Sequence, residues 1–117
     1  MPSVTHTTDD RFAVDVLQSD VPVVVDFTAS WCPPCRAMKP LLSELAHERP
    51  DVRFVELDVD AHGAAAARYG VLSMPTFMVF RGGAPVATLV GARPKARLAR
   101  ELSEVAPEVL VQQPAGG

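Results

Sequence analysis

Isoleucine and asparagine are absent from the 117 residues, cysteine occurs only twice, and neither charge predominates. The first two absences exclude nothing about function. The shortage of cysteine excludes a disulfide-stapled scaffold. Lys and Arg total 11 against 14 for Asp and Glu, a formal charge of −3. That balance speaks against nucleic acid or an anionic membrane as partner, since both require a clustered basic surface. No apolar run approaches the roughly 18 residues that a membrane helix needs. The opening stretch Met1–Asp10 has neither the basic start nor the apolar core of a secretory signal. The expected address is therefore a reducing cytoplasm.

What is present suits one folded domain spanning residues 1–117, with 1–3 and 107–117 as flexible ends. Apolar residues make up 48% of the chain. A short edge strand is expected around Val4. Thr8 is placed to cap a helix whose first turn holds Asp9 and Asp10 and whose buried stripe is Phe12, Val16 and Leu17. Pro22–Ala29 is a near-continuous, β-branched apolar run, the pattern of a strand covered on both faces. Met38, Leu41, Leu42 and Leu45 then recur at helical spacing to about Arg49, with a kink expected at Pro40. Val52–Asp60 predicts a second strand with Val55, Leu57 and Val59 on one side. An Ala-rich helix over Ala61–Tyr69 ends at Gly70. Thr76–Arg81 and Pro85–Val90 form a hairpin through Gly82-Gly83. Pro94 opens a last helix with Leu98, Leu102 and Val105 on its apolar face. Strand–helix–strand units imply parallel pairing, and the hairpin adds an antiparallel element. The fold class is α/β, a central mixed β-sheet of four to five strands with helices on both faces.

Trp31-Cys32-Pro33-Pro34-Cys35 joins the buried strand to the following helix. Cysteines at i and i+3 in a first helical turn bring their Cα atoms within the roughly 4.4–6.8 Å that a disulfide spans. Cys32 at the helix mouth faces unpaired N–H groups and the positive dipole end, which favour the attacking thiolate. Cys35, one turn deeper, suits a resolving thiol. Pro34 fits the first helical position and Pro33 restricts the loop further. Half of a zinc site is a competing reading, but four ligands are needed and no third cysteine exists. His6, His47 and His62 show no finger-like spacing and read as surface residues. Spacing thus favours a redox pair over a metal, and no metal is expected.

From about Val4 to Ala106 the chain resembles the thioredoxin family. The resemblance is carried by Asp26-Phe27, Trp31-Cys32-x-Pro34-Cys35, Pro40, Asp58-x-Asp60, Tyr69-Gly70-Val71, Met74-Pro75-Thr76, Gly82-Gly83 and Val90-Gly91. It implies the thioredoxin fold and a protein-disulfide reductase working through a reversible Cys32–Cys35 dithiol/disulfide. It implies no bound cofactor, with electrons coming from NADPH through a flavoprotein thioredoxin reductase, or from a ferredoxin-dependent one in some lineages. The implied partners are that reductase and disulfide-containing target proteins, met by a monomer.

Further roles follow from the same resemblance. Asp26 interrupts a valine run, so its carboxyl is expected to be buried beneath the cysteines, with a raised pKa suited to proton exchange with Cys35. The family often has a lysine at the position of Glu56; here Lys39 stands in as the neighbouring cation. Pro75 is expected to follow a cis bond and to face the cysteines, leaving Met74 backbone groups to pair with an extended target. Trp31, Val59, Met74, Val90 and Gly91 form the expected target-binding platform. Pro33 replaces the family's usual glycine. It removes an N–H that stabilises the thiolate yet stiffens the loop, two effects of opposite sign on the redox balance. A client-binding module with incidental thiol chemistry is the alternative function; an oxidase or isomerase fits a cytoplasmic address less well.

Overall fold

A computed structural model describes residues 3–108; most of the expectation of flexible ends lies outside those residues. Five strands form one sheet in the order β1-β3-β2-β4-β5. They are β1 (Thr5–His6), β2 (Val23–Thr28), β3 (Arg53–Asp58), β4 (Thr76–Arg81) and β5 (Ala84–Val90). β1, β3 and β2 run parallel, and β4 and β5 continue the sheet antiparallel. The helices are α1 (Pro33–Glu48), α2 (Ala64–Arg68) and α3 (Lys95–Val105), preceded by a single π-helical turn at Ala13–Leu17.

Period-two alternation sorts the sheet residues between two cores. Val24, Phe54, Phe77 and Val79 pack with Met38, Leu42 and Leu45 of α1 and Leu98 and Leu102 of α3. Val23, Val25, Phe27, Val55, Leu57, Met78 and Phe80 meet Phe12 and Val16 of the π-turn region and Ala65 and Ala66 of α2 on the opposite face. All six residues of β2 are buried, as a central strand covered on both sides requires. The same alternation turns Asp26 and Glu56 toward α1, and the two lie opposite one another in the β2–β3 register.

Several boundaries differ from the sequence expectation. The helix expected from Thr8 is instead a turn followed by the π-helical segment. Thr8 does accept the Arg11 N–H at 3.1 Å, but the chain then closes with an i+5 bond from Gln18 N–H to Ala13 O at 2.8 Å. Asp9 serves a different helix from the one beside it: its carboxylate accepts the N–H groups of Ala64 and Ala65, each at 3.1 Å, and so caps α2. β3 stops at Asp58 rather than Asp60, and α2 begins at Ala64 rather than Ala61. The cause is Asp58, whose side chain accepts Asp60 N–H at 2.9 Å and whose carbonyl accepts His62 N–H at 2.8 Å, turning the chain. α1, by contrast, is one helix through Pro40 that ends at Glu48 with Arg49 as its cap, as the spacing predicts. β5 begins one residue earlier than expected, at Ala84.

Leu42 is 1% exposed at the centre of the α1 core. Leu42→Ala is expected to cost about 2–5 kcal/mol, read as a lower urea midpoint with an unchanged slope.

Candidate active site

Cys32 is the N-cap of α1, in extended backbone at φ −95° and ψ 107°. Pro33 and Pro34 follow it and carry no N–H, so the first donor the helix presents is that of Cys35. It donates to Cys32 Sγ at 3.3 Å. The two Sγ atoms are bonded to each other and the Cα atoms lie 5.2 Å apart, so this is the oxidised state. Cys35 is 0% exposed and Cys32 3%. Both are well covered, and only Cys32 retains a surface. Ala29 packs with the pair, and Val59 and Met74 close around it.

The Met74–Pro75 bond is cis. Pro75 is buried, and the Met74 carbonyl oxygen lies 3.6 Å from Cys32 Sγ. The Pro75 carbonyl accepts Gly91 N–H at 2.8 Å, with Gly91 at φ +95°, a backbone region that glycine occupies without strain. Val90 pairs with Thr76 across the β4–β5 ladder. Met74, Pro75, Val90 and Gly91 therefore come together beside the cysteines. Val90 remains exposed, and a groove of about 270 Å³ lined by Tyr69, Val71, Leu72, Ser73, Thr76 and Val90 opens next to it. Trp31 is 62% exposed. Its indole N–H donates to Asp60 Oδ2 at 2.7 Å, which holds the ring over the β3–α2 turn.

Asp26 is 1% exposed, and neither carboxylate oxygen has a hydrogen-bond partner among the described residues. Burial, reinforced by the charge of Glu56 and opposed by that of Lys39, raises its pKa from 3.8 to about 7. Lys39 does not bind Asp26. Its Nζ lies 2.6 Å from Glu56 Oε2, so the acidic residue that replaces the usual lysine has captured the cation. His6 approaches the same carboxylate from β1, Nε2 to Oε1 3.7 Å. Among the described residues, no group of three or more His, Cys, Asp or Glu side chains is arranged to hold a metal ion, and no helix is long and apolar enough to cross a membrane.

The family model for thioredoxin matches residues 3–104. This chain belongs to the thioredoxin family. Curated relatives agree. A thioredoxin of Mycolicibacterium smegmatis is 50% identical over 100 residues, 83% of this chain and 89% of that one. A thioredoxin of Streptomyces clavuligerus is 48% identical over 95 residues, 81% of this chain and 89% of that one. The bifunctional thioredoxin reductase/thioredoxin of Mycobacterium leprae is 47% identical over 105 residues, which span 89% of this chain and 23% of that protein. The five-stranded mixed sheet with helices on both faces is the thioredoxin fold. The chain is a thiol–disulfide oxidoreductase, a protein-disulfide reductase exchanging electrons through Cys32 and Cys35.

Two residues near the site carried no role in the sequence reading. Asp60 was visible only as part of a motif, because its partner Trp31 is 29 positions away. Arg93 belongs to no motif, yet it is buried against the backbone of Val90 and Gly91.

The raised pKa of Asp26 has a consequence for stability. The carboxyl stays protonated up to about pH 7 in the folded chain but ionises near 3.8 when unfolded. Between those values the unfolded chain binds fewer protons, so stability falls as pH rises, and above about 7 the loss is complete. Asp26→Asn is expected to be more stable than the parent at pH 8, by an amount on the order of a few kcal/mol, with the gap closing toward pH 4. Equal urea midpoints at pH 8 would refute the buried, uncompensated carboxyl.

Proposed function

We propose that Cys32 is the attacking thiolate and Cys35 the resolving thiol, in a cycle that begins with the reduced protein. The Cys32 thiolate attacks one sulfur of a target disulfide. The target's other sulfur departs as a thiolate and is protonated, and the Cys32 sulfur is left in a mixed disulfide. Asp26, as carboxylate, accepts the Cys35 proton. The Cys35 thiolate then attacks Cys32 Sγ and displaces the second target sulfur. Two electrons have passed to the target, and the Cys32–Cys35 disulfide remains. The observation that most supports this order is the Cys35 N–H held 3.3 Å from Cys32 Sγ at the mouth of α1, where it lowers the energy of a negative sulfur.

The target is proposed to lie as an extended segment against the Met74 backbone. Trp31, Val59, Met74, Val90 and Gly91 supply a shallow platform, with Gly91 admitting close backbone approach. Pro33 and Pro34 stiffen the loop between the sulfurs. Lys39, paired with Glu56, sets the field around Asp26. Electrons return from NADPH through a flavoprotein thioredoxin reductase; the fused reductase/thioredoxin of Mycobacterium leprae supports that partner. The protein is read as a single domain over residues 1–117, acting as a cytoplasmic monomer on disulfide-containing proteins.

Cys35→Ser is expected to accumulate a mixed disulfide with oxidised insulin, detected as an adduct by mass spectrometry under non-reducing conditions, and to lose turnover. Retention of full insulin binding without any covalent adduct would favour the client-binding alternative. Asp26→Asn is expected to slow resolution and to remove from its pH profile the step centred at about 7. An unaltered profile would remove Asp26 from the proton path.

A further inference from the structure

Arg93 is an unusual residue to find buried. Its side chain is only 5% exposed, and it stands between the end of β5 and the start of α3. Every donor that it turns inward is used. Nη2 donates to Val90 O at 2.6 Å and Nε to Gly91 O at 3.1 Å. Nη1 meets both carboxylate oxygens of Glu101, each at 2.8 Å, and Glu101 is held in turn by Arg97 at 3.3 Å. A buried guanidinium persists only where its donors are satisfied in this way. Pro94, which follows, disfavours helical backbone at Arg93 and so keeps it out of α3.

The turn so gripped carries two platform residues. Val90 and Gly91 give their carbonyls to Arg93, while Gly91 gives its N–H to Pro75 O at 2.8 Å. Pro75 is joined to Met74, whose carbonyl lies 3.6 Å from Cys32 Sγ. A continuous polar path therefore leads from Glu101 on α3, through Arg93 and the Val90-Gly91 turn, to the backbone beside the sulfurs. Gly91 contributes no side-chain packing and Val90 points outward, so the turn is held by backbone bonds to β4 and Pro75 on one side and by the side-chain fork of Arg93 on the other.

We propose that the Arg93–Glu101 pair is a positioning device that fixes the Val90-Gly91 turn against Met74-Pro75, and so sets how tightly the site binds an extended disulfide-bearing segment. The inference rests on the docking role proposed above for Met74, Val90 and Gly91. Arg93 touches neither target nor sulfur and acts through the turn. Its loss is expected to weaken binding of a macromolecular target while leaving the thiolate itself alone.

The test compares the reduced parent with Arg93→Leu and Arg93→Lys. Oxidised insulin reports docking, and iodoacetamide, too small to need the platform, reports thiolate reactivity. Arg93→Leu is expected to raise the KM for insulin about fivefold or more, with kcat and the alkylation rate each within about twofold of the parent. Arg93→Lys keeps the charge but not the planar fork that reaches two carbonyls and a carboxylate together, so its KM is expected to rise about threefold. It serves as the decisive variant should the leucine form fail to fold. Faster amide exchange at Gly91 in either folded variant is also expected. An unchanged insulin KM in a folded variant overturns the proposal, as does a parallel fall in insulin turnover and alkylation. A parent that alkylates normally but fails to reduce insulin overturns the docking reading along with it.

Discussion

A single backbone N–H, that of Cys35, points at Cys32 Sγ from 3.3 Å, and the two prolines ahead of it have none to offer. The chemistry proposed for the molecule depends on that contact being where it is. It requires α1 to start at Pro33, which requires β2 to deliver the chain to the same edge of the sheet each time. β2 does so because it is central and wholly buried, fixed between β3 and β4 and sandwiched by both cores. Core packing and thiol chemistry are thus linked mechanically: displacement of β2 relative to α1 moves the donor relative to the sulfur.

Beneath that contact lies a polar arrangement that a simple apolar core would not tolerate. Asp26 is buried without a hydrogen-bond partner among the described residues, and the nearest strand presents Glu56 rather than a cation. Lys39 neutralises Glu56 from α1 and so diminishes, without abolishing, the repulsion that Asp26 feels. Burial of this carboxyl without a partner costs stability, and the raised pKa it produces suits the proton transfer proposed for Asp26. Because Lys39 sits four residues after Cys35 on the same helix, the charge balance around Asp26 is tied to the element that carries the sulfurs.

Much of this was legible from residue order. The valine run of β2, the alternation of Phe54 and Val55 in β3 and the 3.6 period of α1 declare their faces directly, since each depends on neighbours in the chain. The cysteine spacing identifies the redox segment for the same reason, whereas the cis bond before Pro75 and its place beside the sulfurs came only from the family resemblance. What escaped was contact between distant positions. Asp9 looks like a first-turn residue of its own helix and instead caps α2, 55 residues away. Asp58 shortens both its strand and the next helix through side-chain and carbonyl bonds that hydrophobic pattern does not record. Arg93 is charged and next to a proline, the usual marks of an exposed loop, and only its three-dimensional partners explain its burial.

The two margins of the sheet differ from its middle. β1 has only two residues, and β5 carries Pro85 beside a bulge in its pairing with β4. Short or interrupted margins resist lateral growth by further strands. Left open, these margins would compete with the proposed docking site for the same extended segments and invite aggregation. With β1 cut to two residues and the pairing of β5 broken near Pro85, the margins give a visiting strand little regular ladder to extend, which suits the docking proposed above at the small patch of backbone beside the sulfurs, where release is chemical rather than a matter of peeling strands apart.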